Sequence, residues 1–173
     1  MTTHYASDLR TTPEKLHHEI RIIKDNEVVS SIMQMLSGVV LVLDRNRQIV
    51  AANNTFLKSL GIESAESMLG LRPGEALGCH MAAGANGGCG TTSYCTSCGA
   101  ALTIVAVLNS HRPSSRYCVM ERNTPEDQLF FKITAKFMEF AGDPYVVILI
   151  NDGTAGQVLA NLDRTFYHDI SNS

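Results

Sequence analysis

The sequence predicts an α+β domain: one five-stranded antiparallel sheet with helices on one side, flanked by N- and C-terminal helices. Three observations lead there. Two β-branched runs, 38–44 and 48–53, are joined by a short turn, which is the pattern of a hairpin. Three more strand-like runs follow one another at 116–122, 129–139 and 145–151. Between the two sets lie an irregular, glycine-rich stretch over 62–99 and a helical run over 100–109.

In chain order, residues 1–12 are polar and read as a flexible N-terminus. Pro13 suits the first turn of a helix, and Leu16, Ile20, Ile23, Val28, Ile32, Met35 and Leu36 recur at helical spacing. Residues 13–36 therefore read as an N-terminal helix with a break near Asp25-Asn26. Its apolar stripe suits either packing on its own domain or the seam of a homodimer. Residues 37–154 form the domain proper. Within them, 54–60 read as a short helix closed by Gly61. The alternation in Phe131-Lys-Ile-Thr-Ala-Lys-Phe137 suits a half-buried strand. Residues 155–173 are helical again, with Val158, Leu162, Phe166 and Ile170 on one stripe.

Bulk properties narrow the function classes. Of the 173 residues 45% are hydrophobic and 18% charged, enough apolar content for a buried core. A net charge of −3 offers no nucleic-acid surface. The longest apolar run, 143–150, is far short of the roughly 20 residues a membrane span needs. The first residues lack the pattern of a secretory signal, so the expected location is cytoplasmic. Thiols stay reduced there, and clustered cysteines point to metal or redox chemistry rather than disulfides.

The cysteines carry the chemistry. Cys79, Cys89, Cys95 and Cys98 are spaced C-x9-C-x5-C-x2-C, so four of the five fall within 20 residues. A pair two residues apart can hold one metal, because a tight turn aims both sulfurs inward, and Gly99 suits such a turn. Eight of the 13 glycines lie between 70 and 99, where they let backbone N–H groups approach sulfur. From Pro73 to His111 only Glu75 is formally charged, which implies a partly buried centre. Zinc sites commonly present two close pairs, and only one exists here. Cys89-Gly-Thr-Thr-Ser-Tyr-Cys95-Thr-Ser-Cys98 resembles the C-x5-C-x2-C loop of adrenodoxin-type [2Fe–2S] ferredoxins. The expected cofactor is thus an iron–sulfur cluster, [2Fe–2S] or [4Fe–4S], with zinc as the alternative. Cys79 is the expected fourth ligand and Cys118, within a strand, its rival. His80 could replace one cysteine. A zinc deaminase is excluded, because the His-x-Glu glutamate is missing after His80. Haem attachment is excluded because Gly99, not histidine, follows Cys98.

The order of elements resembles a PAS sensor domain. The residues that carry the resemblance are Gly38-Val-Val-Leu-Val-Leu-Asp44, Ile49-Val-Ala-Ala-Asn53-Asn54, Phe56, Leu60-Gly61 and Val147-Ile-Leu-Ile-Asn151-Asp152-Gly-Thr154. The last matches the place where PAS domains end in an Asp-x-Thr turn that feeds a signalling helix. The loop where PAS domains often hold a flavin, haem or small ligand carries the cysteines here. The Asn-Cys-Arg-Phe-Leu-Gln motif of flavin photosensors is absent, which argues against that class.

The C-terminal run Phe166-Tyr-His168-Asp169-Ile-Ser-Asn172 is similar to the H-box of bacterial sensor histidine kinases. The resemblance implies His168 as phosphoacceptor, with Asp169 orienting its imidazole. No ATP-binding motif follows, so the chain reads as the sensory part of a longer kinase. The implied partners are a second copy, the kinase ATP-binding domain and a response regulator. The expected function is therefore redox, oxygen or nitric oxide sensing in a two-component system. Competing classes are a zinc-stapled dimerisation module and a small electron carrier.

Overall fold

The computed structural model describes residues 3–54, 57, 61–123 and 126–153. The C-terminal helix, with His168 and Asp169, lies outside the described residues, as do Phe56 and Leu60 of the short helix expected over 54–60.

Five strands form one antiparallel sheet in the order β2-β1-β5-β4-β3. They are β1 (Val39–Leu43), β2 (Ile49–Ala52), β3 (Ser114–Glu121), β4 (Gln128–Phe140) and β5 (Asp143–Asp152). β1 is buried throughout, because both faces of the sheet are covered there. The Asp44 carboxylate accepts the Asn46 and Gln48 N–H groups and so sets the β1–β2 turn. In β4, Phe131, Ile133 and Ala135 turn inward while Lys132, Thr134 and Lys136 face out, as the alternation predicts.

The expected break in the N-terminal helix is present. Helix α1 (Pro13–Lys24) is capped by the Thr12 side chain, and α2 (Glu27–Met35) by Asn26, whose side chain accepts the Val29 N–H. These helices do not share a face with the remaining ones. Ile23 and Met33 join Val40, Val42, Val50 and Tyr145 in a second core on the outer side of the sheet. The two readings of the stripe divide between the helices. Ile20 and Ile23 of α1 pack on their own domain, whereas Val28, Ile32 and Met35 of α2 remain 67%, 53% and 84% exposed.

The inner face carries the larger core, with Leu41, Leu43, Ile133, Ile148, Ile104 and Val107 at its centre. Three helices lie on this face or in the loop beside it: α3 (Pro73–Ala76), α4 (His80–Ala83) and α5 (Gly99–Ser110). The stretch over 62–99 is thus not wholly irregular, since single turns at 66–68 and 93–96 also punctuate it. Nor are residues 3–12 without contacts. The N–H groups of His4 and Ala6 donate to the carbonyls of Thr91 and Gly90, and Thr11 bonds to Asp44 and Gln48.

Candidate functional site

All five cysteines line one cavity of about 300 Å³ between the loop, α5 and the inner face of the sheet. Cys79 is the N-cap of α4 and Cys98 the N-cap of α5. Cys95 sits buried in the turn at 93–96, with the Thr92 hydroxyl 3.2 Å from its sulfur. Half-buried Cys89 lays its sulfur against Gly74, where a Cβ would come within 2.7 Å of it. Cys118 comes from β3, is 3% exposed, and places its sulfur 3.8 Å from that of Cys98. The rivalry between Cys79 and Cys118 therefore has a simple spatial basis: both face the same cavity. His80 is exposed and lines a different groove. Among the described residues, no three His, Cys, Asp or Glu side chains converge closely enough to hold a metal ion as they stand.

Gly99 has a role other than the one its place after Cys98 suggests. It is the first residue of α5, and a Cβ there would collide with the Tyr117 carbonyl oxygen. Its missing side chain lets the start of α5 press on β3, and that contact carries Cys98 to Cys118.

The thiols differ in acidity for local reasons. Burial pushes Cys89 up to about 12, against the pull of the Gly74 N–H and with the thiols of Cys95, Cys98 and Cys79 adding to the rise. Burial also raises Cys79, although the Ala82 and Met81 N–H groups at the start of α4 face its sulfur and favour the thiolate. Neither closes a full capping hydrogen bond. Cys98 is lowered, first by the hydrogen bond from Cys118, and further by the Ala101 and Ala100 N–H groups, with burial opposing. Cys118 is raised by the same contact and by burial. The two sulfurs thus share one hydrogen bond, beside the N–H groups that open α5.

The almost uncharged loop is not an uncharged site, because arginines from outside it close around the cysteines. Arg72 is fully buried, and its guanidinium donates to the carbonyls of Asn46, Gly87, Cys89 and Leu9. Burial, with Arg47 and Arg10 nearby, lowers it to about 10. Arg47, 7% exposed, donates from Nη2 to the Ser7 carbonyl at 2.6 Å, but its buried Nε has no partner among the described residues. Burial lowers its pKa too, and the groups opposing that fall are Cys89, Asp44 and Cys95. Glu75 links the parts. Its carboxylate accepts from Arg10 at 2.5 Å and from the N–H groups of Arg72 and Cys89. Burial would raise it, yet these bonds hold it below the usual carboxylate range. Sequence reasoning missed all three arginines. Only the Arg-Pro-x-Glu run at 72–75, a helix-start pattern, marks one of them.

No protein-family model matches this sequence, and no curated protein matches it. Solved structures do match. An RNA-binding light-oxygen-voltage receptor aligns over 99% of this chain and 42% of its own, with TM-score 0.56 and 13% identity. VqmA bound to DPO aligns over 73% of this chain and 57% of its own, with TM-score 0.51 and 15% identity. This chain has a PAS-like fold. A PAS domain of an HTR-like protein from Haloarcula marismortui also matches, over 79% of this chain and 98% of its own, with TM-score 0.49 and 14% identity. At these identities the likeness is one of fold. In the PAS-like frame the cysteine cavity lies between the inner face of the sheet, the loop and α5.

Proposed function

We propose that this PAS-like domain is the sensory module of a two-component histidine kinase, detecting redox state, oxygen or nitric oxide through an iron–sulfur cluster. Cys79, Cys89, Cys95 and Cys98 hold the cluster as thiolates. The observation that carries the reading is the pairing of thiols with buried cations. Four thiolates around iron make an anionic centre, and an isolated buried charge is costly unless an opposite charge meets it. Arg47 and Arg72 stand buried beside Cys89, and the unpartnered Nε of Arg47 is the kind of donor that an anionic centre satisfies. Backbone N–H groups of Gly74, Met81, Ala82, Ala100 and Ala101 face the sulfurs of Cys89, Cys79 and Cys98, and such groups tune a cluster's potential.

When bound, the cluster supplies an electron-accepting centre that oxygen or nitric oxide can attack. The chain's own residues supply the rest. The thiols draw the loop over 74–98 inward, and Glu75 with Arg10 carries the loop's position to the N-terminal segment. For the signal to be relayed, two states of such a centre would have to favour different arrangements of the terminal helices, and His168, oriented by Asp169, would receive the phosphoryl group in the full kinase. The exposed stripe of α2 pairs two copies into a homodimer.

Anaerobic purification tests the cofactor. The expected protein is brown, with roughly equal iron and sulfide. A colourless protein holding one zinc per chain overturns the reading in favour of a zinc-stapled dimerisation module. For the relay, the His168→Gln variant of the full-length kinase loses phosphoryl transfer, and undiminished labelling removes the assignment.

A further inference from the structure

We propose that Cys98 and Cys118 are a peroxide-sensitive dithiol, with Cys98 as the attacked thiol and Cys118 as the one that resolves it to a disulfide. The pair and its roles rest on geometry: half-buried Cys98 caps the start of α5 and is the more accessible, whereas Cys118 is 3% exposed on β3. Their sulfurs stand 3.8 Å apart, and among the described residues no other two cysteine sulfurs are in hydrogen-bonding contact. The contact is built by backbone packing. Gly99 lets α5 press against the Tyr117 carbonyl oxygen, with the Cys118 Cα 3.4 Å from where a Cβ of residue 99 would lie. A disulfide needs about 2.05 Å between sulfurs, so the gap closes by roughly 2 Å, within the reach of χ1 rotation. Reactive sensor cysteines are commonly poised beside a resolving one. Both thiols line the cavity of about 300 Å³ that half-exposed Tyr94 borders, which gives a small oxidant a way in.

The chemistry balances with hydrogen peroxide as the oxidant. The Cys98 thiolate attacks one peroxide oxygen and breaks the O–O bond, giving the sulfenic acid and hydroxide. The Cys118 thiol then attacks the Cys98 sulfur, forming the S–S bond and releasing water. Two electrons leave the two sulfurs and reduce the peroxide. This assigns the fifth cysteine a function that the four proposed ligands leave open. It concerns the metal-free chain, in which Cys98 is free to react, and it does not depend on the cluster assignment.

The test uses the full chain, stripped of metal with chelator and dithiothreitol under nitrogen, then exposed to a small excess of hydrogen peroxide and alkylated. Two of the five thiols are expected to become protected. After trypsin, the peptide Tyr117–Arg122 is expected to be joined to the fragment carrying Cys98, and dithiothreitol is expected to release it. Cys98→Ser abolishes that link, and Cys118→Ser leaves a sulfenic acid at Cys98 that dimedone traps. Gly99→Ala, which lifts α5 from β3, slows the pairing without changing the thiol count. The proposal is overturned if Cys118 stays alkylatable while other thiols oxidise. It is equally overturned if the link persists in Cys98→Ser, or if Gly99→Ala pairs as fast as the parent. Iron and sulfide content is measured on a separate, unstripped sample, so failure of the cluster assignment and failure of the dithiol are read independently.

Discussion

The two faces of the sheet bury ionisable groups in opposite ways. Beside the cysteine loop the buried cations are Arg47 and Arg72, set among thiols and carbonyl oxygens, with the fully buried Asp44 close to Arg47. On the outer face the buried group is an acid. Glu19 of α1 is 1% exposed and lies near Tyr145, and among the described residues neither its Oε2 nor the Tyr145 hydroxyl has a partner. Lys15 stands 3.6 Å from Glu19 but also reaches Asp143 at 2.7 Å. The cysteine side is arranged to meet negative charge, whereas the outer face carries an acid that burial weakens. Burial first, then the charge of Asp44, raises Glu19 to about 7.

The sharpest way to break this contrast is at Arg72. Arg72→Met leaves four carbonyls without their donor, and removing such a buried network costs about 3–5 kcal/mol. Urea denaturation checks it, and a loss below about 1 kcal/mol would mean that the arginine is dispensable to the loop.

The outer face gives the next largest effect, with a definite pH sign. Glu19 binds its proton more tightly folded than unfolded, so ionising it opposes folding. That penalty is absent below pH 4.5, grows as pH rises, and is complete above about pH 7. Glu19→Gln should therefore match the parent near pH 4.5 and exceed its stability at pH 8, by on the order of 2 kcal/mol. Equal stability of the two proteins at pH 8 would show that folding does not raise the Glu19 pKa.

Arg47→Gln sharpens the inner-face side. Removing a half-paired buried cation should leave the metal-free protein as stable or up to about 1 kcal/mol more stable. The same change should weaken iron retention during anaerobic gel filtration. Loss of stability in the metal-free protein would give Arg47 a structural role instead.

Smallest in stability, but informative, is Ile32→Lys on the exposed stripe of α2. Folding should change by no more than about 0.5 kcal/mol, while sedimentation should shift from dimer toward monomer. An unchanged sedimentation coefficient would remove α2 from the dimer seam.

How much of this the sequence reveals depends on whether the cause is local. Strand alternation in 131–137 and the helix break at Asp25-Asn26 are local, and both are legible because period and helix-breaking chemistry lie within a few residues. The cysteine spacing is legible for the same reason. The site's electrostatics are not. Arg72, Arg47 and Arg10 reach the cysteines from three different segments, and their approach exists only once the hairpin and the loop are folded. Cys118 reads as an ordinary strand cysteine until strand order puts β3 beside the start of α5. The place of α1 and α2 on the outer face was equally hidden, because an apolar stripe shows that a helix packs but not on which side of a sheet.

One tether has a consequence for the order of events in folding. The bonds from His4 to Thr91 and from Ala6 to Gly90 close a chain segment about half the length of the 173-residue protein. Contacts so distant in sequence are expected to form late, because loop closure must precede any gain from them. On the ribosome the first residues wait for the loop to be made before they can dock. The same segment is held by further bonds once docked, from Arg47 to the Ser7 carbonyl, Arg72 to the Leu9 carbonyl and Arg10 to Glu75. The cysteine loop is thus sealed late in folding, which leaves its thiols open to solvent until the N-terminal segment docks.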